Sequence, residues 1–368
     1  MSSSPYSSER HKPFDPDISE EDRRLADEVS EDYDQRRQAE AETRNQKLQQ
    51  IIDGGNAEFR KLLGGAENWL ALRRLMRDER ITFHKLLEPP EGLTADYDKL
   101  NAARVAAGQK FLAKIGVEIG SLRDLYHRTA AAVEEVNVFP PADPGFSLET
   151  HHGQWIDLVD PHAFQIFTPP FPGDQFGLHR ESLTGEFRVA RQLFLDRAVG
   201  RVGHDLTLDN PDSSALDFCS GIADTQVAFA FKAPATGLVE VVIEAQNELG
   251  LHTLSSEDEW GWSDSETNQR NSLMMHVIHP NVTAPSFALM SSIKVTTDDT
   301  TTVQREIFPR GGLFFADLFS DGAVQKDQVV EVRAGTNSLD SSNTLAVGIH
   351  SKSAFHWLLR SVRVRIAP

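Results

Sequence analysis

The chain changes period at Phe139-Pro140-Pro141-Ala142-Asp143-Pro144-Gly145. Before this cluster apolar residues recur every three or four positions, and after it they alternate. Helices rarely run through so dense a proline cluster, so the chain must divide here. The 368 residues are long enough for two units, because single cores usually stop growing near ~250 residues. The expectation is α + β in separate regions: a tail over 1–18, a helical assembly region over 19–138 built as a hairpin or coiled coil, a Pro-rich linker over 139–146, and an antiparallel β-sandwich or jelly roll over 147–368.

In the first part, Ser19 followed by Glu20, Glu21 and Asp22 is a helix start, with a capping hydroxyl and acids facing the N-terminal dipole. Leu25, Val29 and Tyr33 keep helical spacing, but Asp34 to Lys47 carries almost no apolar residue. Such a helix is solvated or leans on a partner chain. The glycine pairs in DGGNAEF (53–59) and LGGAENW (63–69) predict a helix that stops and restarts at each. Further helices are expected over about 66–87, ended by Pro89-Pro90, and over about 94–136. In the last of these Leu112, Ile115, Ile119, Leu122, Tyr126, Thr129, Val133 and Val136 form an apolar seam at alternating spacings of three and four. That seam packs either on residues 66–87 or on a second copy, which makes Ile115, Ile119, Leu122, Tyr126 and Val133 the candidate assembly residues.

Beyond the prolines, TQVAFAFKA, LVEVVIEA (238–245), SLMMHVIH (272–279), DQVVEVRA (327–334), LAVGIH (345–350) and FHWLLRSVRVRI (355–366) read as strands separated by turn residues. Many short alternating strands suggest two packed antiparallel sheets. Adhesion, lectin-like and appendage proteins share this layout, which is a likeness of plan and not of motif.

Composition removes several functions. The formal net charge is -18, and residues 146–368 carry 28 acidic against 16 basic side chains. An acidic surface of this kind argues against nucleic acid and against anionic lipid as partners. A single cysteine, Cys219, excludes an intrachain disulfide framework and a multi-cysteine zinc site. Flanked by Phe218 and Ile222, it reads as a buried apolar residue. The N-terminal residues have no apolar signal-peptide core and no stretch is long enough to span a membrane, so cytoplasmic synthesis is the default expectation.

Motifs for catalysis are weak. No phosphate-binding loop is present, and GRVGHD (200–205) lacks a third glycine and is strand-like in context. HHGQWIDLVDPHAF (151–164) gathers His151, His152, Asp157, Asp160 and His162, which are ligand types for zinc, manganese or iron. Their parity on a strand is mixed, so no cofactor or metal is assigned. His276 and His279 fall on opposite faces of a strand for the same reason. The acidic β part has carboxylates enough for a glycosidase pair, though spacing alone identifies none.

EDEWGWSDSE (257–266) is the strongest candidate for a working surface. Trp260 and Trp262, at i and i+2, project from one side of an extended segment, and Asp258, Asp264, Asn268 and Arg270 surround them with hydrogen-bonding groups. Stacking faces beside polar groups suit a carbohydrate or a protein partner; the acids could also hold calcium. A weaker candidate is Phe355-His356-Trp357 with the basic strand residues Arg360, Arg363 and Arg365, suited to an acidic patch on a neighbouring subunit. The expected function is a non-enzymatic homo-oligomeric binding or structural protein that recognises a glycan or protein. A carbohydrate-active hydrolase is the alternative.

Overall fold

Glycine geometry settles where the helices stop. The computed structural model describes residues 19–87, 97–136, 165–173, 175–183, 187–210, 216–257, 264–282, 284–297, 301–306, 310–345 and 347–367. Helix α1 (Glu20–Leu62) starts at Ser19, whose hydroxyl accepts the Asp22 amide at 3.1 Å. It ends in a Schellman motif, in which Gly65 N donates to Arg60 O and Gly64 N to Lys61 O, with Gly64 at φ 79°. The expected stop at Gly54-Gly55 does not occur. Gly55 is instead a packing residue, because a Cβ there would lie 3.0–3.1 Å from Thr129 and Leu216.

Helix α2 (Ala66–Leu87) follows directly. The single helix expected over 94–136 is two, α3 (Tyr97–Lys114) and α4 (Ile119–Val136). Gly116, at φ 75°, closes a second Schellman motif in which Val117 N donates to Leu112 O. Seam spacing continues across this break, which is why periodicity alone could not place it.

Twelve strands form two antiparallel sheets among the described residues. Sheet A runs β10 (Leu313–Val324), β6 (Gly237–Glu257), β12 (Gly348–Ala367), β4 (Arg201–Asn210), β3 (Arg188–Asp196), with β1 (Gln165–Phe167) on β12 and β9 (Thr301–Glu306) on β6. Sheet B runs β2 (Gln175–Leu183), β5 (Leu216–Lys232), β11 (Val329–Leu345), β7 (Asp264–Ile278), β8 (Ser286–Thr297). The sheets face one another as a sandwich. The expected strand 345–350 belongs to two strands, Leu345 ending β11 and Gly348 to His350 opening β12.

One end of the interior is apolar. Val227, Phe229 and Phe231 of β5 and Val330, Val332 and Ala334 of β11 meet Val241 and Ile243 of β6 and Phe355 and Trp357 of β12. Helices α1 and α4 pack on the outer face of sheet B. Phe218 of β5 is buried among Leu48, Ile52 and Val133, and Leu216 and Leu345 join Phe59, Leu122 and Tyr126. The helical region and the sandwich therefore share two apolar clusters. A boundary at 139–146 lies outside the described residues.

This docking explains how the apolar-poor stretch of α1 holds its place. Tyr33 meets the ring of His276 edge-on at 5.6 Å. Asp34 pairs with Arg333 of β11 at 3.0 Å, and Ser30 accepts a hydrogen bond from the same guanidinium. Burial opposes the charge on Arg333, but Glu331 and Asp34 more than offset it and hold the group above its ordinary pKa. The helix leans on its own sandwich, through a few polar contacts in place of an apolar stripe.

Candidate functional site

The outer face of sheet A differs from that of sheet B in bearing an open groove and exposed aromatic rings. On β4, Val202, His204, Leu206 and Leu208 point into the sandwich, so Gly203 and Asp205 point outward. Register places Gly203 between Phe194 of β3 and His356 of β12. With no side chain between them, the two rings meet at a centroid distance of 4.1 Å. Gly203 has a φ of 151°, and a Cβ there would lie 2.3 Å from the Phe355 carbonyl, so the position requires glycine.

Around this ring pair lies a groove of about 310 Å³ lined by Phe194, Arg201, Glu248, Leu249, Arg310 and His356. Arg201 donates to both carboxylate oxygens of Glu248, at 3.0 and 3.3 Å, across β4 and β6. His356 Nε2 lies 2.8 Å from Asp205 Oδ1, which fixes the imidazole against Phe194. The groove thus combines an aromatic floor with a planar charged pair in fixed orientation. A second groove, about 520 Å³ between α1 and α4, is lined by Glu40, Arg44, Lys47 and Glu135 and has no aromatic floor.

The expected sites fall as follows. Asp258, Trp260 and Trp262 lie outside the described residues, as do His151, His152, Asp157, Asp160 and His162. The strand ends on either side of these tryptophans are fixed, Glu257 opposite Gly348 in sheet A and Asp264 opposite Leu345 in sheet B. Asn268 and Arg270 lie on the outer face of β7, where neighbouring Glu266 binds Lys294 at 2.8 Å. Leu122, Tyr126 and Val133 are buried within the chain, and Ile115 and Ile119 pack against the same helical core. The predicted assembly seam is occupied inside one molecule.

The basic strand needs correction. Arg363 pairs with Glu244 and Arg365 with Glu240, both on adjacent β6, so these cations are neutralised within their own sheet. Phe355 and Trp357 are core residues, and of that trio His356 alone faces the groove. Cys219 is buried as expected, with burial pushing its thiol well above the ordinary range. His276 meets Tyr33, and His279 lies 2.7 Å from Gln328 Oε1, so both rings have structural partners.

Sequence reasoning missed the other half of the sandwich interior. There the sheets meet through polar side chains: His204 near Ser353, Ser353 donating to Asn271, Asn271 beside Ser291, and His252 held by Gln269. Asp340 of β11 is fully buried in this layer. Its Oδ1 has only a long contact of 3.5 Å to Ser338, and Oδ2 has no partner among the described residues. Burial pushes its carboxyl well above the usual range, and burial together with neighbouring imidazoles lowers His204 to about 3. Among the described residues no cluster of three or more His, Cys, Asp or Glu could hold a metal. No described helix is long and apolar enough to cross a membrane.

No protein-family model and no curated protein matches the chain. Among solved structures it is similar, at 10% identity, to the carbohydrate-binding module TmCBM61, solved in complex with β-1,4-galactotriose. The alignment covers 44% of this chain and 86% of that one, with a TM-score of 0.11. At that score the likeness carries no argument about fold or ligand.

Proposed function

We propose that this chain is a non-enzymatic binding protein whose β-sandwich recognises a glycan in the groove on the outer face of sheet A. The observation that carries the reading is the Phe194–His356 ring pair flanked by the Arg201–Glu248 pair. A sugar offers an apolar face to a ring and hydroxyls to a guanidinium and a carboxylate, and this groove holds both kinds of group in fixed geometry. In this reading the helical region braces sheet B. Trp260 and Trp262 are a second candidate recognition element.

A hydrolase would need two carboxylates facing a substrate cleft. Asp317, raised to about 6 by burial and then by Glu240, shares a face with Glu240, but Glu240 is held by two hydrogen bonds from Arg365. Neither residue lines the groove. Binding without turnover is therefore the better-supported reading.

The test is a glycan array followed by calorimetry on the best ligand. Phe194→Ala and Arg201→Ala are each expected to weaken binding about tenfold, the loss of ~1.4 kcal/mol of stacking or charged hydrogen bonding, while thermal stability changes little. Absence of any glycan ligand, or binding indifferent to both substitutions, would sink the proposal. Loss of binding on Trp260→Ala or Trp262→Ala alone would move the site to those residues.

A further inference from the structure

We propose that two copies of this chain pair edge to edge through β10, the Phe314–Leu318 segments forming an antiparallel ladder centred on Ala316. Strand β10 ends sheet A, with β6 on one side and no strand beyond it among the described residues. Its outward side chains include Leu313, Phe315 and Phe319, which are 49%, 41% and 43% exposed. The latter two are the exposed phenylalanines of the described residues. The opposite face cannot turn outward to relieve this, because Ala316 and Leu318 are in the core and Phe314 packs on Trp357.

Edge strands of monomers are usually guarded by lysine, proline, a bulge or a covering segment. Only the second half of β10 is guarded. The register shifts after Phe319, Asp321 accepts the Ala284 amide at 3.1 Å, and Ser286 donates to the Phe319 carbonyl. The first half, LFFADLF, has neither lysine nor proline.

The occupant follows from the sequence of the edge itself. About Ala316 it is nearly two-fold: Phe314 answers Leu318, Leu313 answers Phe319, and Phe315 answers Asp317. A two-fold axis normal to the sheet makes the copies antiparallel, so Phe314 meets Leu318 on the inner face, alanine meets alanine at the centre, and on the outer face each Phe315 stands opposite an Asp317. The charges behind the edge are already paired, Arg363 with Glu244 and Arg365 with Glu240. Asp317 is the one charged side chain within the segment itself. Such pairing extends sheet A across the dimer.

Sedimentation equilibrium of the full chain at micromolar concentration is expected to give twice the 40.9 kDa of one chain. Phe315→Lys places a charge in the contact and is expected to weaken the dimer about a hundredfold, with circular dichroism and melting temperature unchanged. An independent readout uses two single-substitution variants, Phe315→Cys and Asp317→Cys, mixed under mild oxidation by diamide. Cross-strand partners stand about 5.5 Å apart at Cα, within disulfide reach, and native Cys219 is buried and does not compete. A covalent dimer should form in the mixture far faster than in either variant alone. A monomeric wild-type chain, a dimer insensitive to Phe315→Lys, or equal crosslinking in mixture and single variants each overturns the proposal.

Discussion

Asp340→Asn is predicted to stabilise the protein at neutral pH and to lose that advantage in acid. The carboxyl is fully buried between the sheets, with one long contact to Ser338. No ion pair to it is found among the described residues, and burial raises its pKa well above 3.8. The native state therefore holds its proton to higher pH than the unfolded chain does, and folding takes up protons in the window between the two pKa values. Each unit of upward shift costs about 1.4 kcal/mol of stability at pH values above both pKa values. For an acid raised in this way, stability is fully present below the unfolded pKa and is lost as pH rises toward the folded one. Asparagine keeps the size and removes the ionisation. Its packing and hydrogen-bond effects are the same at any pH, so the difference between two pH values isolates the proton term. Urea unfolding followed by circular dichroism at pH 7 and near pH 4 should show Asp340→Asn more favourable to stability at pH 7 than in acid. An identical effect at both values would mean that the fold leaves this pKa unshifted, and a less favourable effect at pH 7 that it stabilises the charged form; in either case the account of the polar interior would be wrong.

His204 gives the opposite slope. Its folded pKa is lowered to about 3 from 6.5, so the stability it contributes is present above 6.5 and is lost as pH falls. The loss approaches about 5 kcal/mol by pH 3, and His204→Asn should flatten the acid limb of the stability profile. Asp34→Ala removes one partner of buried Arg333 and should cost about 3 kcal/mol, near the low end for breaking a buried pair because Glu331 remains. A change under about 0.5 kcal/mol in urea unfolding would show that α1 docks by other contacts. Gly203→Ala should destabilise by at least about 2 kcal/mol through the close approach to Phe355 and the unfavourable φ, detected as a lower melting temperature. Residues 165–367 expressed without the helices should aggregate, because Phe218, Leu216 and Leu345 would be exposed on the outer face of sheet B.

Local chemistry determined the parts of this protein that depend on neighbours along the chain. The Ser19 cap, the stop at Gly64-Gly65 and the alternation in Val227-Phe229-Phe231 were legible because each records a backbone or side-chain period of a few residues. The polar run GTNSLDSSNTL (335–345) was not legible as the centre of sheet B. Its inward side chains are matched by polar groups on the facing sheet, so alternation between apolar and polar never appears. The first glycine pair misled for a related reason, since Gly55 serves the crossing of α1 over Thr129 and Leu216, which are distant in sequence. The seam of α4 was visible as apolar, yet periodicity does not say whether its partner is another copy or the chain's own Phe59 and Leu345. The groove on sheet A depended wholly on tertiary structure. Phe194, Gly203 and His356 have no common motif, and strand register alone brings the two rings together over the glycine. Sequence specifies a period and a cap within one segment; which faces meet is decided by burial and pairing between segments far apart in the chain.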